Sequence, residues 1–412
     1  MRACIVVALL VLFLVSPDLN AQGGPQTADA AALQAQIEAL RAEYEKKIAE
    51  LAQQLQELQA QVAATAAPPV QTSLSALNPS ISVITNFLGR ADNQQIFLEG
   101  ERIDNTMNLR EAEIDFRAPI DPYADGVLML AVESAVPGVF EAGVEEGYVN
   151  LKKLPFVEMP LGLKFQVGRF RPALGKFNSL HTHDLPTTMR SLPTQEFLGD
   201  EGFISQGFSN DFFIPTPWDE NQALNARLQV LTSGNIAIDP ISETRISYLG
   251  NLRWFKTTGA HNTELGWSTY WHRSKDATPE VAVNVMDFLY KWKPFRQGEW
   301  KSFLLGGELF FSNRNPADVH PWGSSVFTQW QFDRRKYAGV RWDYTTTVDD
   351  PTILRRSITP YLSYYFSEFL RFRINYEQLW SGIASENGRK SLYLEFNWIF
   401  GSHPPEPFWV NK

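Results

Sequence analysis

Two imidazoles one residue apart and followed by a carboxylate, His181-Thr182-His183-Asp184, are the side chains of this 412-residue sequence best placed to hold a metal. Nitrogen and oxygen ligands of this kind suit zinc, but a site needs three or four of them. The remaining histidines, His261, His272, His320 and His403, are scattered along the chain. The expectation is therefore no metal and no cofactor, with His181 and His183 hydrogen-bonding a loop to the wall beside it.

Nucleophilic chemistry is poorly served. The only cysteine, Cys4, lies in the apolar N-terminal run, and no Gly-x-Ser-x-Gly elbow or Gly-x-x-x-x-Gly-Lys phosphate loop occurs. Ser268 and Ser274 share a strand face with His272. Neighbours two apart on a strand are roughly 6.6 Å from each other, too far for a serine to pass its proton to a base. The sequence does not read as an enzyme.

Charge on one face of alternating segments is the stronger signal. Basic positions gather on the later segments, at Arg227, Arg245, Arg253, Arg341, Arg371 and Arg373. Acidic ones fall on an early segment, at Glu111, Glu113 and Asp115. Between them runs a long connection, 171–202, which carries Lys176, His181, His183, Asp184, Arg190, Glu196, Asp200 and Glu201. Opposed rows of charge across a narrow water-filled gap would set up a transverse field that orients polar solutes.

Such rows need a rigid, hollow support. From Ile81 to Phe400 the apolar period is two: Leu392, Leu394, Phe396, Trp398 and Phe400 alternate with Ser391, Tyr393, Glu395 and Asn397, and Leu370, Phe372, Ile374 and Tyr376 alternate with Arg371, Arg373, Asn375 and Glu377. One face suits lipid and the other water. About 16 candidate strands can be counted, from one near 81–88 to one near 390–400, and an even number returns both ends to one side. The connections Asp333-Arg334-Arg335, Phe366-Ser367-Glu368 and Thr257-Thr258-Gly259-Ala260 are tight, whereas 89–106, 171–203, 313–322 and 381–389 are longer. Short turns on one side and long loops on the other are the habit of outer-membrane barrels. Aromatic residues make up 13% of the chain, as rings at the two lipid interfaces would require. Pro360 is the misfit, because a closed barrel has no edge on which to hide a missing donor.

The first residues bear on export. Arg2, the apolar run Ala3 to Val15, and Ser16, Pro17 and Ala21 read as a signal peptide, 1–21, whose core of about 13 residues is shorter than a spanning helix. Within 22–62, the apolar residues Leu33, Ile37, Leu40, Tyr44, Ile48, Leu51, Leu55, Leu58 and Val62 are spaced 4, 3, 4, 4, 3, 4, 3, 4, a heptad pattern with one stutter. This predicts an α-helical coiled coil in the periplasm, which would self-associate or reach the peptidoglycan. A linker rich in small residues, with Pro68, Pro69 and Pro79, covers 63–80, and the all-β, antiparallel transmembrane barrel covers 81–412. The net charge of −9 argues against nucleic acid as a partner.

One stretch resembles a known family. Val144-Glu145-Glu146-Gly147-Tyr148-Val149-Asn150-Leu151, then Gly162-Leu163-Lys164-Phe165-Gln166-Val167-Gly168-Arg169-Phe170-Arg171-Pro172-Ala173-Leu174-Gly175, is similar to the phosphate- and polyphosphate-selective porins, as is Leu109-Arg110-Glu111-Ala112-Glu113-Ile114-Asp115-Phe116. The likeness is good over 107–203. It implies a sixteen-stranded trimeric channel constricted by the loop after strand five. That family selects anions through a ladder of arginines and lysines. Here the loop offers Arg171, Lys176 and Arg190 against Asp184, Glu196, Asp200 and Glu201, and the early strand is acidic. The expectation is a homotrimeric outer-membrane porin for passive diffusion of small hydrophilic solutes or ions, phosphate among the anions to be considered. The alternative is a barrel that tethers the membrane to the cell wall through its coiled coil. The tail from Gly401 to Lys412 departs from barrels that end on an aromatic residue.

Overall fold

The computed structural model describes residues 46–47, 79–98, 100–154, 159–216, 220–232, 237, 246–272, 280–315, 318–402 and 407–410. The chain divides into two units, Met1–Thr72 and Ser73–Lys412. In the first, Lys46 and Lys47 are helical, and the rest of the heptad segment and the signal lie outside the described residues.

The second unit is a closed antiparallel barrel of sixteen strands, each paired with its sequence neighbours and the last with the first. In chain order they are β1 (Ser80–Asp92), β2 (Met107–Pro119), β3 (Ala124–Glu133), β4 (Glu141–Leu151), β5 (Lys164–Phe170), β6 (Ser205–Ile214), β7 (Gln222–Thr232) and β8 (Ile246–Thr258). There follow β9 (His261–His272), β10 (Glu280–Trp292), β11 (Ser302–Asn315), β12 (Trp322–Asp333), β13 (Lys336–Thr346), β14 (Leu354–Ser367), β15 (Leu370–Ser381) and β16 (Lys390–Gly401). A small hairpin, Phe97–Leu98 with Glu101–Arg102, sits in the first long loop.

Closure is what permits this shape in lipid, since each strand is paired on both sides and no open edge is left among the described residues. Alternation orients the wall: Leu228, Val230, Leu394 and Phe396 are exposed on the outside, while Gln229, Glu395 and Asn397 are buried inside. Near the tight turns the outer face carries Trp292, Trp330, Phe332, Phe366 and Phe400, with Trp292 and Trp330 stacked at 6.0 Å. At the other end Trp322 stacks on Tyr344 at 4.7 Å. These are the two aromatic levels a membrane barrel needs.

Pro360 has a simple resolution. It pairs with Val340 on the β13 side, but pairing between β14 and β15 lapses between Ile358↔Gln378 and Tyr361↔Asn375. The missing N–H therefore falls in a gap of the ladder, which is where a strand tolerates proline. The uniformly water-facing interior expected from the sequence is corrected. On β10 the inward residues Val281, Val283 and Val285 are apolar, because part of the long loop packs on them.

Candidate functional site

The connection after β5, residues 171–204, folds inward and spans the lumen. Its first and last portions are apolar: Leu174, Phe197, Leu198 and Phe203 pack against Leu231, Leu249, Tyr270, Val281, Val283, Val285 and Phe310 of β7 to β11. A short helix, α1 (Leu192–Leu198), is capped by the Ser191 hydroxyl, which accepts from the Thr194 N–H, and it starts with a proline at its first turn. Wall side chains satisfy the backbone of the irregular part. Gln229 Oε1 accepts from Ala173 N–H at 2.9 Å, Ser268 Oγ from Gly175 N–H at 2.8 Å, and Glu308 Oε1 from the N–H groups of Lys176 and Phe177 at 2.6 and 2.9 Å. Ser268, considered above as a nucleophile, is thus an anchor. Gly175 has φ +73°, and a Cβ there would stand 2.4 Å from Glu308 Oε1.

Asn178 clasps the two ends of the loop. Its Nδ2 donates to the carbonyls of Pro172 and Phe203 at 2.8 and 2.9 Å, and its Oδ1 accepts from Phe203 N–H at 2.7 Å.

The middle of the loop, 181–190, lies between two charged walls. Its backbone faces the arginines: Arg371 donates to the His183 carbonyl at 2.6 Å, Arg373 to that of Leu185 at 2.5 Å, and Arg341 to that of Met189 at 2.6 Å. The same arginines pair with carboxylates, Arg371 and Arg373 with Glu395 at 2.9 and 3.3 Å, and Arg341 with Asp343 at 2.9 Å. Its imidazoles face the acids. His181 Nδ1 donates to Glu145 at 2.9 Å, and His183 Nδ1 lies 3.4 Å from Glu111 Oε2 and 3.2 Å from Glu113 Oε1. Burial pulls the His183 proton affinity down, but Glu113, Asp184 and Glu111 outweigh it and leave His183 well above an ordinary histidine. Arg190, buried and close to Arg171, is pushed down to about 10.

Two bulges concentrate this charge. Register slips between β1 and β2 at Asn86/Phe87, so that Arg110 is the extra residue beside Glu111, and between β3 and β4 at Met129/Leu130, so that Glu145 is the extra residue beside Glu146. A bulge lets consecutive side chains face one way. Glu145 and Glu146 are accordingly both buried, and Arg171 pairs with Glu145.

The other residues singled out in the sequence are dispersed. Asp115 pairs with Arg117 at 2.7 Å, and Lys176 with Glu264. Glu196 accepts from Arg355 and from Val348 N–H at 2.9 and 3.0 Å. Asp184 is half-buried near His183, Asp200 and Glu201 are exposed, and Glu201 accepts from the Thr182 hydroxyl at 2.8 Å. Arg227 pairs with Asp211, and Arg253 with Asp287 at 2.7 Å; Arg245 lies outside the described residues.

Sequence reasoning missed Arg110, Glu145, Glu146 and Asn178. It also missed the segment after β16. Residues 407–410 return into the lumen, where Trp409 is fully buried, donates from Nε1 to the Asp184 carbonyl at 2.6 Å, and lies 5.6 and 5.7 Å beneath Arg371 and Arg373. Gln329 donates to the Trp409 carbonyl at 2.9 Å, and Phe408 packs on Phe177 at 5.6 Å. The tail's aromatics were visible in the sequence, but nothing in their spacing gave the turn back inside.

Between loop, tail and the β2–β5 wall a polar cavity of about 350 Å³ remains. Arg117, Arg171 and Arg227 line it together with Asp115, Glu146 and Asp184, and His181 and His183 stand at its border.

No family model matches the chain. An uncharacterized protein of Aquifex aeolicus (strain VF5) is 23% identical over 340 residues, covering 73% of this chain and 70% of that protein. Among solved structures, an anion-selective porin from Comamonas acidovorans superposes with a TM-score of 0.53 at 9% identity, over 78% of this chain and 99% of that one. OmpF of Salmonella typhi, in complex with daunomycin, gives 0.51 at 10% identity, over 78% and 98%. The outer-membrane channel DcaP of Acinetobacter baumannii gives 0.50 at 7% identity, over 79% and 98%. The chain has the barrel fold of outer-membrane porins and channels. The specific phosphate-selective family is not shown by these likenesses.

Proposed function

We propose that this chain is a non-enzymatic outer-membrane porin through which small hydrophilic solutes or ions diffuse passively, its long loops outward and its N-terminal segment in the periplasm. The single observation that carries the reading is the inward-folded loop 171–204 beside a cavity of about 350 Å³ with three basic and three acidic side chains on its lining. A polar cavity inside the barrel suits a route for small solutes, and opposed charges on its lining would orient polar ones. The heptad segment supports a homotrimer.

A preference for anions such as phosphate needs guanidinium N–H groups free to meet a solute. Arg341, Arg371 and Arg373 spend theirs on loop carbonyls, Asp343 and Glu395, and Arg171 is buried against Glu145, which leaves Arg117 and Arg227 as the partly exposed basic groups of the cavity. The balance favours weak selectivity. Single-channel recording of the purified full chain in a planar bilayer tests the reading: discrete conductance steps are expected, with a small reversal potential across a salt gradient. A folded protein that never conducts would overturn it.

The filling of the lumen by loop and tail favours a second reading, a structural barrel tethered to peptidoglycan through residues 22–62. Deleting 31–62 would then weaken the envelope without changing solute uptake.

A further inference from the structure

The acidic wall holds more ligands than pairing partners. Glu113 is 0% exposed and His183 3% exposed, and neither oxygen of Glu113, nor Glu111 Oε2, nor His183 Nδ1 has a hydrogen-bond partner among the described residues. Buried polar atoms are almost always satisfied, so three side chains that bring such atoms together call for an occupant. Their spacing says which kind. His183 Nδ1 stands 3.2 Å from Glu113 Oε1 and 3.4 Å from Glu111 Oε2. Ligands held tetrahedrally at ~2.0–2.1 Å from a metal are roughly 3.3–3.4 Å from one another, since the edge of a tetrahedron is about 1.6 times its centre-to-corner distance. The two distances from His183 are therefore those an ion shared between the imidazole and each carboxylate would impose, and one ligand atom from each of the three residues lies within 4.8 Å of the others.

We propose that Glu111, Glu113 and His183 form a site for one divalent transition-metal ion, with zinc as the type case, which fastens the inward loop to β2. Imidazole nitrogen beside carboxylate oxygen favours zinc-like ions over calcium or magnesium, which prefer oxygen alone. Asp184 Oδ1 lies 3.6 Å from His183 Nε2, on the other side of the ring and beyond hydrogen-bond reach. His183 also lines the polar cavity, which places the site beside a route by which an ion could enter.

The neighbouring group of Glu113, Glu145 and His181 also clusters within ligand range. It is the poorer site, because Glu145 already pairs with Arg171 and accepts from His181. That difference makes the assignment specific to His183. Ordinary alternation along β2 points Glu111 and Glu113 inward together.

The test is calorimetric titration of ZnCl₂ into the full chain, purified in detergent, stripped with chelator, and checked for folding by its heat-modifiable migration. One saturable site per chain is expected, weakened at least about 100-fold in Glu113→Gln and in His183→Ala, since even removing a supporting partner of a metal ligand costs 10–100-fold. His181→Ala should keep the site. Wild-type protein that takes up no zinc overturns the proposal, as does uptake that survives both Glu113→Gln and His183→Ala, which would trace to exposed imidazoles such as His261 and His320. Loss in His181→Ala with retention in His183→Ala overturns it too. Should either variant fail to fold, wild-type crystals soaked in ZnCl₂ decide: an anomalous peak between Glu111, Glu113 and His183 supports the site, and its absence there refutes it.

Discussion

Replacing Asn178 with alanine should release the loop while leaving the barrel intact. The side chain is 1% exposed and makes three hydrogen bonds that join Pro172 to Phe203, the two ends of the inward excursion. Truncation removes all three and strands one N–H and two carbonyls. A buried group left unsatisfied costs about 1–3 kcal/mol, but the loop mouth can admit water to some of them, so a total of about 3 kcal/mol is the reasonable sum. None of the strand ladders is touched. The loss should therefore appear as local opening of 171–204, at about 100-fold faster exchange for amides that exchange through that opening, since 1.36 kcal/mol is about tenfold. Hydrogen exchange read by mass spectrometry on peptides covering the loop, with peptides of β12 to β16 as internal reference, measures this directly. If the loop peptides exchange at the wild-type rate, the clasp is ornamental and the account of how the loop is held is wrong. Equal acceleration in loop and strand peptides would show that Asn178 supports the whole barrel, which would equally refute a clasp that holds the loop alone.

Arg373→Ala leaves Glu395 and the Leu185 carbonyl short of a buried partner and should cost about 3–5 kcal/mol in denaturant unfolding, whereas Arg373→Met combined with Glu395→Gln should recover part of it; a single-variant cost under ~1 kcal/mol contradicts this. Gly175→Ala meets both a left-handed backbone, worth about 1–2 kcal/mol, and the Glu308 carboxylate, so the melting temperature should fall; an unchanged value would mean the loop start can shift freely. Trp409→Ala should enlarge the passage and raise conductance, because the ring fills space between Arg371, Arg373 and Tyr337; equal conductance would place the tail outside the route. In the first long loop, the Arg102 guanidinium and then the Ile96 N–H hold the Asp104 carboxyl below the usual carboxylate range. A lowered folded value means that the ordering contribution is complete above about pH 4 and fades only as pH falls through the depressed value. The Ile96 amide resonance should stay fixed at mildly acidic pH and move only in stronger acid, and a shift centred near pH 4 would refute the pairing.

The strand count was legible because each wall residue faces either lipid or lumen, and alternation records that choice directly. Leu392 to Phe400 or Leu370 to Glu377 needed no knowledge of distant parts. The long excursion after β5 was legible too, as the largest gap in the period. What alternation cannot encode is a bulge. Glu145 beside Glu146, and Arg110 beside Glu111, look like errors of phase in a strand, yet the register slips turn both members inward, which adds Glu145 to the acids Glu111, Glu113 and Asp115 that alternation already places inside. Consecutive charges inside a strand were the available signal. Nor could the sequence reveal that Val281, Val283 and Val285 face a packed loop and not water, since that depends on where Leu174 and Phe203 land. The histidines were noticed, but their partners lie on strands distant in sequence.

The placement of residues 407–410 bears on the order of assembly. Trp409 and Phe408 touch side chains from the loop after β5 and from β10, β12, β13 and β15, so their seat does not exist until nearly every strand has joined the cylinder. The segment synthesised after the last strand must therefore settle last, like a bolt thrown once the door is shut. Its docking is a built-in report that the wall is complete.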